Sequence, residues 1–128
     1  TGDDVTGPAP TTTVATQADG SAGQVETVIA LPQTVPDGLA LDAAGDLYVS
    51  CYRPDIIYRY TSAGELQVLA EDFEGTKIAS PTNVAFCGKD LDMFIGTNLG
   101  RWHLTRYELD AVGMPLSYPD LVGKCGDT

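Results

Sequence analysis

Bases are what this 128-residue sequence has least of: 7 Lys and Arg stand against 18 acids, for a formal charge of −11. Nucleic-acid binding draws its affinity from clustered Lys and Arg, so the balance argues against a phosphate-backbone partner and suits a cation or a small polar ligand. No apolar run approaches the ~20 residues that span a bilayer, and no membrane partner is expected. The start lacks the basic-then-apolar order of a secretory signal, although a chain that opens at Thr1 leaves room for an upstream signal peptide. Histidine occurs once, and there is no G-x-S-x-G elbow, Gly-rich phosphate loop or H-E-x-x-H, which argues against nucleophilic triads and zinc hydrolases. Cys51, Cys87 and Cys125 are odd in number and lack C-x-x-C spacing, which fits buried reduced thiols of a cytoplasmic protein better than a disulfide framework.

What is present is 43% hydrophobic and 8% aromatic, the ordinary content of a folded domain. The first thirty residues, with four acids and no base among Thr, Ala, Gly and Pro, build no core by themselves. Beyond them the chain repeats itself. Pro36 matches Pro81 at an offset of 45, and Leu39-Ala40-Leu41 matches Val84-Ala85-Phe86. Tyr48-Val49 matches Phe94-Ile95 at 46, and Tyr58-Arg59-Tyr60 matches Thr105-Arg106-Tyr107 at 47. A period of roughly 40–50 residues that slips at Gly and Asp is the mark of propeller blades.

Short apolar or alternating runs bounded by turn residues predict strands at 38–42, 47–52, 56–61 and 65–70, then 83–87, 92–97 and 103–109 with a weak fourth beyond Gly113. In the second run Leu47, Val49 and Cys51 alternate with Tyr48, Ser50 and Tyr52, the period of a pleated strand. The expected class is all-β, a fragment of a β-propeller with about two and a half four-stranded blades. Residues 1–10 read as a divergent or disordered start, 11–34 as the outer hairpin of a preceding blade, 35–75 as a complete blade, 76–116 as the following blade and 117–128 as a tail. A propeller closes with about four to eight blades, so closure calls for further sequence, the missing N-terminal blades, or further copies.

Among the acids, Asp37 has a distinctive place. It precedes the innermost strand of a blade, where side chains reach the central channel, and a hard cation takes carboxylate and amide oxygens. Pro36-Asp37-Gly38 also reads simply as a turn, in which Pro fixes φ, Asp bonds nearby backbone and Gly adapts. Asn83 is a second candidate ligand, although it matches Gly38 while Thr82 matches Asp37. Asn98, Trp102 and His103 form a loop whose polar groups could pair with ligand hydroxyls, or else a capped loop with a packed Trp and an exposed His. Asp42, Asp46, Asp90 and Asp92 read as turn formers, Glu71, Asp72 and Glu74 as a solvated acidic loop, and Arg59 and Arg106 as matched positions serving blade packing or surface pairing.

The run from Val35 to Tyr52, VPDGLALDAAGDLYVSCY, resembles the gluconolactonase and regucalcin (senescence marker protein) family, and Pro81–Phe86 with Asn98–Leu104 is similar to the next blade of its bacterial members. The likeness runs from about Ala18 to Leu121. It implies a six-bladed propeller whose channel holds one divalent cation, Ca²⁺ first and Zn²⁺, Mn²⁺ or Mg²⁺ as variants, and which opens sugar lactones. It places Asp37 on the family's metal-binding aspartate and proton acceptor, while a Glu and an Asn of the family site have no counterpart in this sequence. The resemblance thus implies a lactone hydrolase as the full-length parent and an inactive isolated segment. Rival readings are a non-catalytic calcium- or partner-binding propeller of the same ancestry and a different hydrolase on the same scaffold.

Overall fold

The computed structural model describes residues 9–118, which form nine strands and no helix. Strands β1 (Ala9–Thr16) and β2 (Ala22–Leu31) make an antiparallel hairpin. Its turn is closed by Asp19, whose carboxylate accepts from the Ser21 amide at 2.9 Å and the Ser21 hydroxyl at 2.6 Å. The hairpin begins at Ala9, inside the stretch expected to be a divergent start.

A four-stranded antiparallel sheet follows in the order β3 (Pro36–Leu41), β4 (Leu47–Tyr52), β5 (Asp55–Tyr60), β6 (Leu66–Glu71). A three-stranded sheet then runs β7 (Pro81–Cys87), β8 (Met93–Asn98), β9 (Leu104–Tyr107). Alternation along β4 sends its side chains into two different cores. Leu47, Val49 and Cys51 pack with Leu31 and Ile56 against the first hairpin, while Tyr48 packs with Ile57, Val84 and Phe94 against the second sheet. Tyr48, Phe86 and Phe94 meet at centroid distances of 4.8 to 5.3 Å, one pair edge to face, a geometry that adds to the apolar burial.

The inner strands β3 and β7 lie against each other without sharing a ladder. Gly38 is buried at this contact, and a Cβ there would fall inside the van der Waals radius of the Asn83 backbone. Only glycine allows the two sheets to approach so closely.

The ladders correct one match of the repeat. Leu39 lies opposite Val49 and Val84 opposite Gly96, so with the two prolines aligned Val49 matches Gly96 and Tyr48 matches Ile95. The second strands are therefore already offset by 47, and pairing Tyr48 with Phe94 is one residue out of register. Phe94 instead takes the place of Leu47, each facing the sheet before its own. The third-strand match stands: Tyr48 opposes Arg59 and Ile95 opposes Arg106. Both β4 and β8 carry apolar residues on two faces, so composition does not reveal a slip that turns every side chain over.

The expected weak fourth strand does not flank β9 among the described residues. Gly113 bridges back to Asp42, Met114 N donates to Leu41 O at 3.0 Å, and Gly113 N donates to Leu91 O at 2.8 Å. A Cβ at Gly113 would overlap the Phe86 side chain, so this segment crosses the hairpin ends where only glycine fits. Of the expected tail 117–128, residues 119–128, with Cys125, lie outside the described part.

Gly38→Ala is expected to lower stability by about 1–3 kcal/mol, the usual cost of overpacking, because the obstructing atoms are backbone. Urea unfolding of the variant measures it, and an unchanged midpoint would refute the close approach of β3 and β7.

Candidate functional site

Antiparallel order brings the starts of β3, β5 and β7 and the ends of β4, β6 and β8 to one end of the sheets. Asp37, Thr82 and Asn83 stand at that end on the inner strands, and the connections 72–80 and 99–103 lie at the same end. The hairpin that carries Asp42 and Asp46 lies at the opposite end.

Each inner strand is bulged at its start. The β3–β4 register shifts between Pro36 and Leu39, where Asp37 and Gly38 together oppose Ser50, and the β7–β8 register shifts between Pro81 and Asn83, around Thr82. A bulge inserts a residue and re-aims the side chains beside it. Asp37 is exposed there and, among the described residues, its carboxylate accepts no hydrogen bond. The matched Thr82 is half-buried, with its hydroxyl 3.1 Å from that of Thr97.

The remaining candidates have other employment. Asn83 is exposed, yet its Oδ1 accepts from the Val84 amide at 2.9 Å, which leaves its amide nitrogen as the outward group. Asn98 is buried and saturated: Oδ1 accepts from Ala79 N at 2.9 Å, and Nδ2 donates to Thr105 Oγ1 at 2.9 Å and to His103 O at 3.1 Å. It holds the loop together and presents no group to a ligand. Trp102 is fully exposed, against the packed Trp of the alternative reading, and His103 is exposed with Nε2 3.1 Å from Lys77 O. Trp102 and His103 thus share a loop at the Asp37 end but do not converge with it into a closed pocket.

Sequence reasoning missed what organises this end. Asp72, assigned to a merely solvated acidic loop, accepts from the amides of Glu74, Thr76, Lys77 and Ile78 and from the Thr76 hydroxyl, at 2.6 to 3.2 Å. The Lys77 and Ile78 amides, first among these donors, hold its carboxyl well below the ordinary carboxylate range. Carbonyls of the loop so shaped receive Arg101 Nε at Gly75 O, 3.0 Å away, and Thr105 Oγ1 at Lys77 O. The spacing of an Asp before several amides is the signal that could have revealed it.

At the other end two of the acids read as turn formers, Asp42 and Asp46, do bond turn amides. Asp42, 1% exposed, accepts from Ala44 N and Asp46 N at 2.9 Å and from Tyr48 Oη at 3.0 Å. Burial, and then this bond to Asp42, push the Tyr48 phenol far up. Asp46 accepts from Ser62 N at 2.7 Å and pairs with Arg59 at 2.6 Å, and the Ser62 amide is the first cause of its lowered pKa. Arg59 thus serves packing, while the matched Arg106 makes only an exposed pair with Glu108 at 3.5 Å. Burial pushes the Cys51 thiol up to about 11, so it stays protonated and unreactive at neutral pH.

The donor chemistry suits a hard cation in type: Asp37 is an exposed carboxylate at the mouth of the inner strands. Its number falls short, since the described residues hold no group of three His, Cys, Asp or Glu able to enclose a metal. Asp37 alone among the described residues does not make a metal site.

Repeated antiparallel sheets packed face against face, with bulged inner strands side by side, define the blades of a β-propeller. Residues 8–98 match the SMP-30/gluconolactonase/LRE-like region, and the chain belongs to that family. The match covers β1 to β8, including Asp37, Asn83 and Asn98, while Trp102 and His103 lie beyond it. No curated protein matches the chain.

Because the folded Asp72 carboxyl titrates below its unfolded value, its contribution is complete above the unfolded pKa, about 4, and is lost as pH falls through the folded one. Hydrogen exchange is expected to show the amides of Thr76, Lys77 and Ile78 losing protection under acid, and at neutral pH in Asp72→Ala, with β4 unchanged. Equal protection in that variant at neutral pH would show that the loop stands without Asp72.

Proposed function

We propose that this chain supplies one metal ligand and the proton acceptor of a metal-dependent lactone hydrolase, within a larger propeller formed by the full-length protein. The reading rests on family membership and on one observation: of two repeats that share their strands and bulges, only the first carries an exposed carboxylate at the bulge, Asp37, where the second has Thr82.

A divalent cation, Ca²⁺ or alternatively Zn²⁺, Mn²⁺ or Mg²⁺, supplies Lewis-acid polarisation of a lactone carbonyl when bound. Asp37 would help hold it and would take a proton from the water that adds to the carbonyl carbon, passing it to the ring oxygen as the ester C–O bond breaks. Further oxygen ligands come from outside the described residues, in keeping with the 6–8 that Ca²⁺ prefers. The substrate class is a sugar lactone, whose hydroxyls find polar groups at this end in the Asn83 amide nitrogen and the exposed His103.

In the full-length protein, Asp37→Ala is expected to abolish lactone hydrolysis and weaken divalent-cation binding while circular dichroism and thermal unfolding stay close to the parent. Normal turnover in that variant would remove Asp37 from the site; retained Ca²⁺ binding without turnover in the unmutated protein would identify a binding propeller instead. The 128-residue chain alone, with Asp37 as its one carboxylate at the inner-strand bulges, is expected to show no lactone turnover with added Ca²⁺ and no saturable binding in calorimetry.

A further inference from the structure

β4 carries one small polar side chain, Ser50, among larger and mainly apolar ones. Ser50 is completely buried, in a strand whose other residues are Leu47, Tyr48, Val49, Cys51 and Tyr52. A buried hydroxyl without a partner is costly, so its bonds indicate its work. Both go to one residue of the facing strand: Ser50 Oγ accepts from Gly38 N at 3.1 Å and donates to Gly38 O at 3.3 Å. Gly38 directly follows Asp37, and the two together form the bulge that Ser50 faces.

A bulge removes ladder hydrogen bonds, and the amide and carbonyl it strands need other partners. Ser50 provides both from a single oxygen. On the other side Gly38 is closed by the Asn83 backbone. The peptide after Asp37 is thereby fixed from two directions, while the Asp37 side chain stays exposed. The next repeat keeps the carbonyl half of the device: Thr97, which matches Ser50, donates to the carbonyl of Asn83, which matches Gly38, at 3.4 Å, while its other bond goes to the Thr82 hydroxyl.

We infer that Ser50 is a positioning residue that clamps the Gly38 peptide and so fixes the direction in which Asp37 presents its carboxylate to the cation and the lactone. The inference rests on the proposed role of Asp37. Ser50 touches neither cation nor substrate, and its effect passes through one peptide unit. A carboxylate must be held within fractions of an ångström to ligate and accept a proton in turn, and a side chain on an unclamped bulge is not so held.

The test uses the full-length protein with Ser50→Ala, Asp37→Ala and the double variant, read by hydrogen exchange of the 36–41 segment, Ca²⁺ titration calorimetry and lactone kinetics. Ser50→Ala is expected to speed exchange at Gly38, to weaken Ca²⁺ by about three- to tenfold, the usual worth of one or two net hydrogen bonds, and to lower kcat with little change in KM. In the Asp37→Ala background the same substitution should still speed Gly38 exchange but leave Ca²⁺ affinity unchanged. Ser50→Thr, which keeps the hydroxyl as Thr97 does, should restore Gly38 protection and Ca²⁺ affinity together. Equal losses of Ca²⁺ affinity in both backgrounds would make Ser50 merely structural and overturn the inference, as would an unaltered affinity and kcat in Ser50→Ala. Unchanged Ca²⁺ binding and turnover in Asp37→Ala would instead overturn the site itself, leaving Ser50 a clamp with nothing to aim. Should Ser50→Ala fail to fold, Ser50→Cys, nearly isosteric with weak hydrogen bonding, carries the same comparison.

Discussion

The missing side chain of Gly38 is the constraint on which the arrangement depends. Without a Cβ there, the backbone of β3 can rest on the backbone of β7 at Asn83. That contact sets how far apart the two sheets stand at the inner end. The spacing in turn lets Tyr48 reach Phe86 and Phe94 and close the core between the sheets. It also brings the two bulges, and with them Asp37 and Thr82, to the same edge. Packing and site geometry therefore share one cause, and a larger residue at position 38 would disturb both.

The acidity of the chain has a structural explanation for much of its excess. Asp19, Asp42, Asp46 and Asp72 each fold back to accept backbone amides at the ends of strands. A carboxylate accepts several such bonds, and each neutralises an amide that the short strands leave without a ladder partner. Charges spent in this way are poor metal ligands, because binding a cation would strand the amides they serve. Asp37 differs from these four in lying outside any such turn network.

The repeat was legible in the sequence because strand composition and turn residues recur together, and Pro36, Pro81, Arg59 and Arg106 all fall where their spacing put them. Register was less legible. Tyr48 and Phe94 look alike, but the ladders make Tyr48 the equivalent of Ile95, and strands that are apolar on both faces give no alternation in the sequence to fix which face is which. Asn98 could be seen as polar and loop-borne, yet its three bonds to Ala79, His103 and Thr105 come from segments that only folding brings together. Asp72 was hidden among neighbouring acids for the same reason. Ser50 could be placed on a face, but its partner across the strand depended on a bulge that sequence alone does not locate.

The two bulges differ in what they leave free, which is the basis for placing the proposed ligand in one repeat and not the other. In the second, the side chain at the bulge position, Thr82, is itself tied to Thr97, and Thr97 also reaches the Asn83 carbonyl, so side chain and backbone are held by the same hydroxyl. In the first, Ser50 gives both of its bonds to the backbone of Gly38, and the side chain at the bulge is left to solvent. A Thr in place of Asp37 could turn back onto Ser50 only by competing with the Gly38 peptide, whereas a carboxylate, left unsatisfied by that hydroxyl, keeps its hydration by facing outward. The strand repeat builds the same platform twice, and the difference lies in which part of the bulge the facing hydroxyl satisfies. Where it satisfies the peptide alone, the side chain remains available for chemistry.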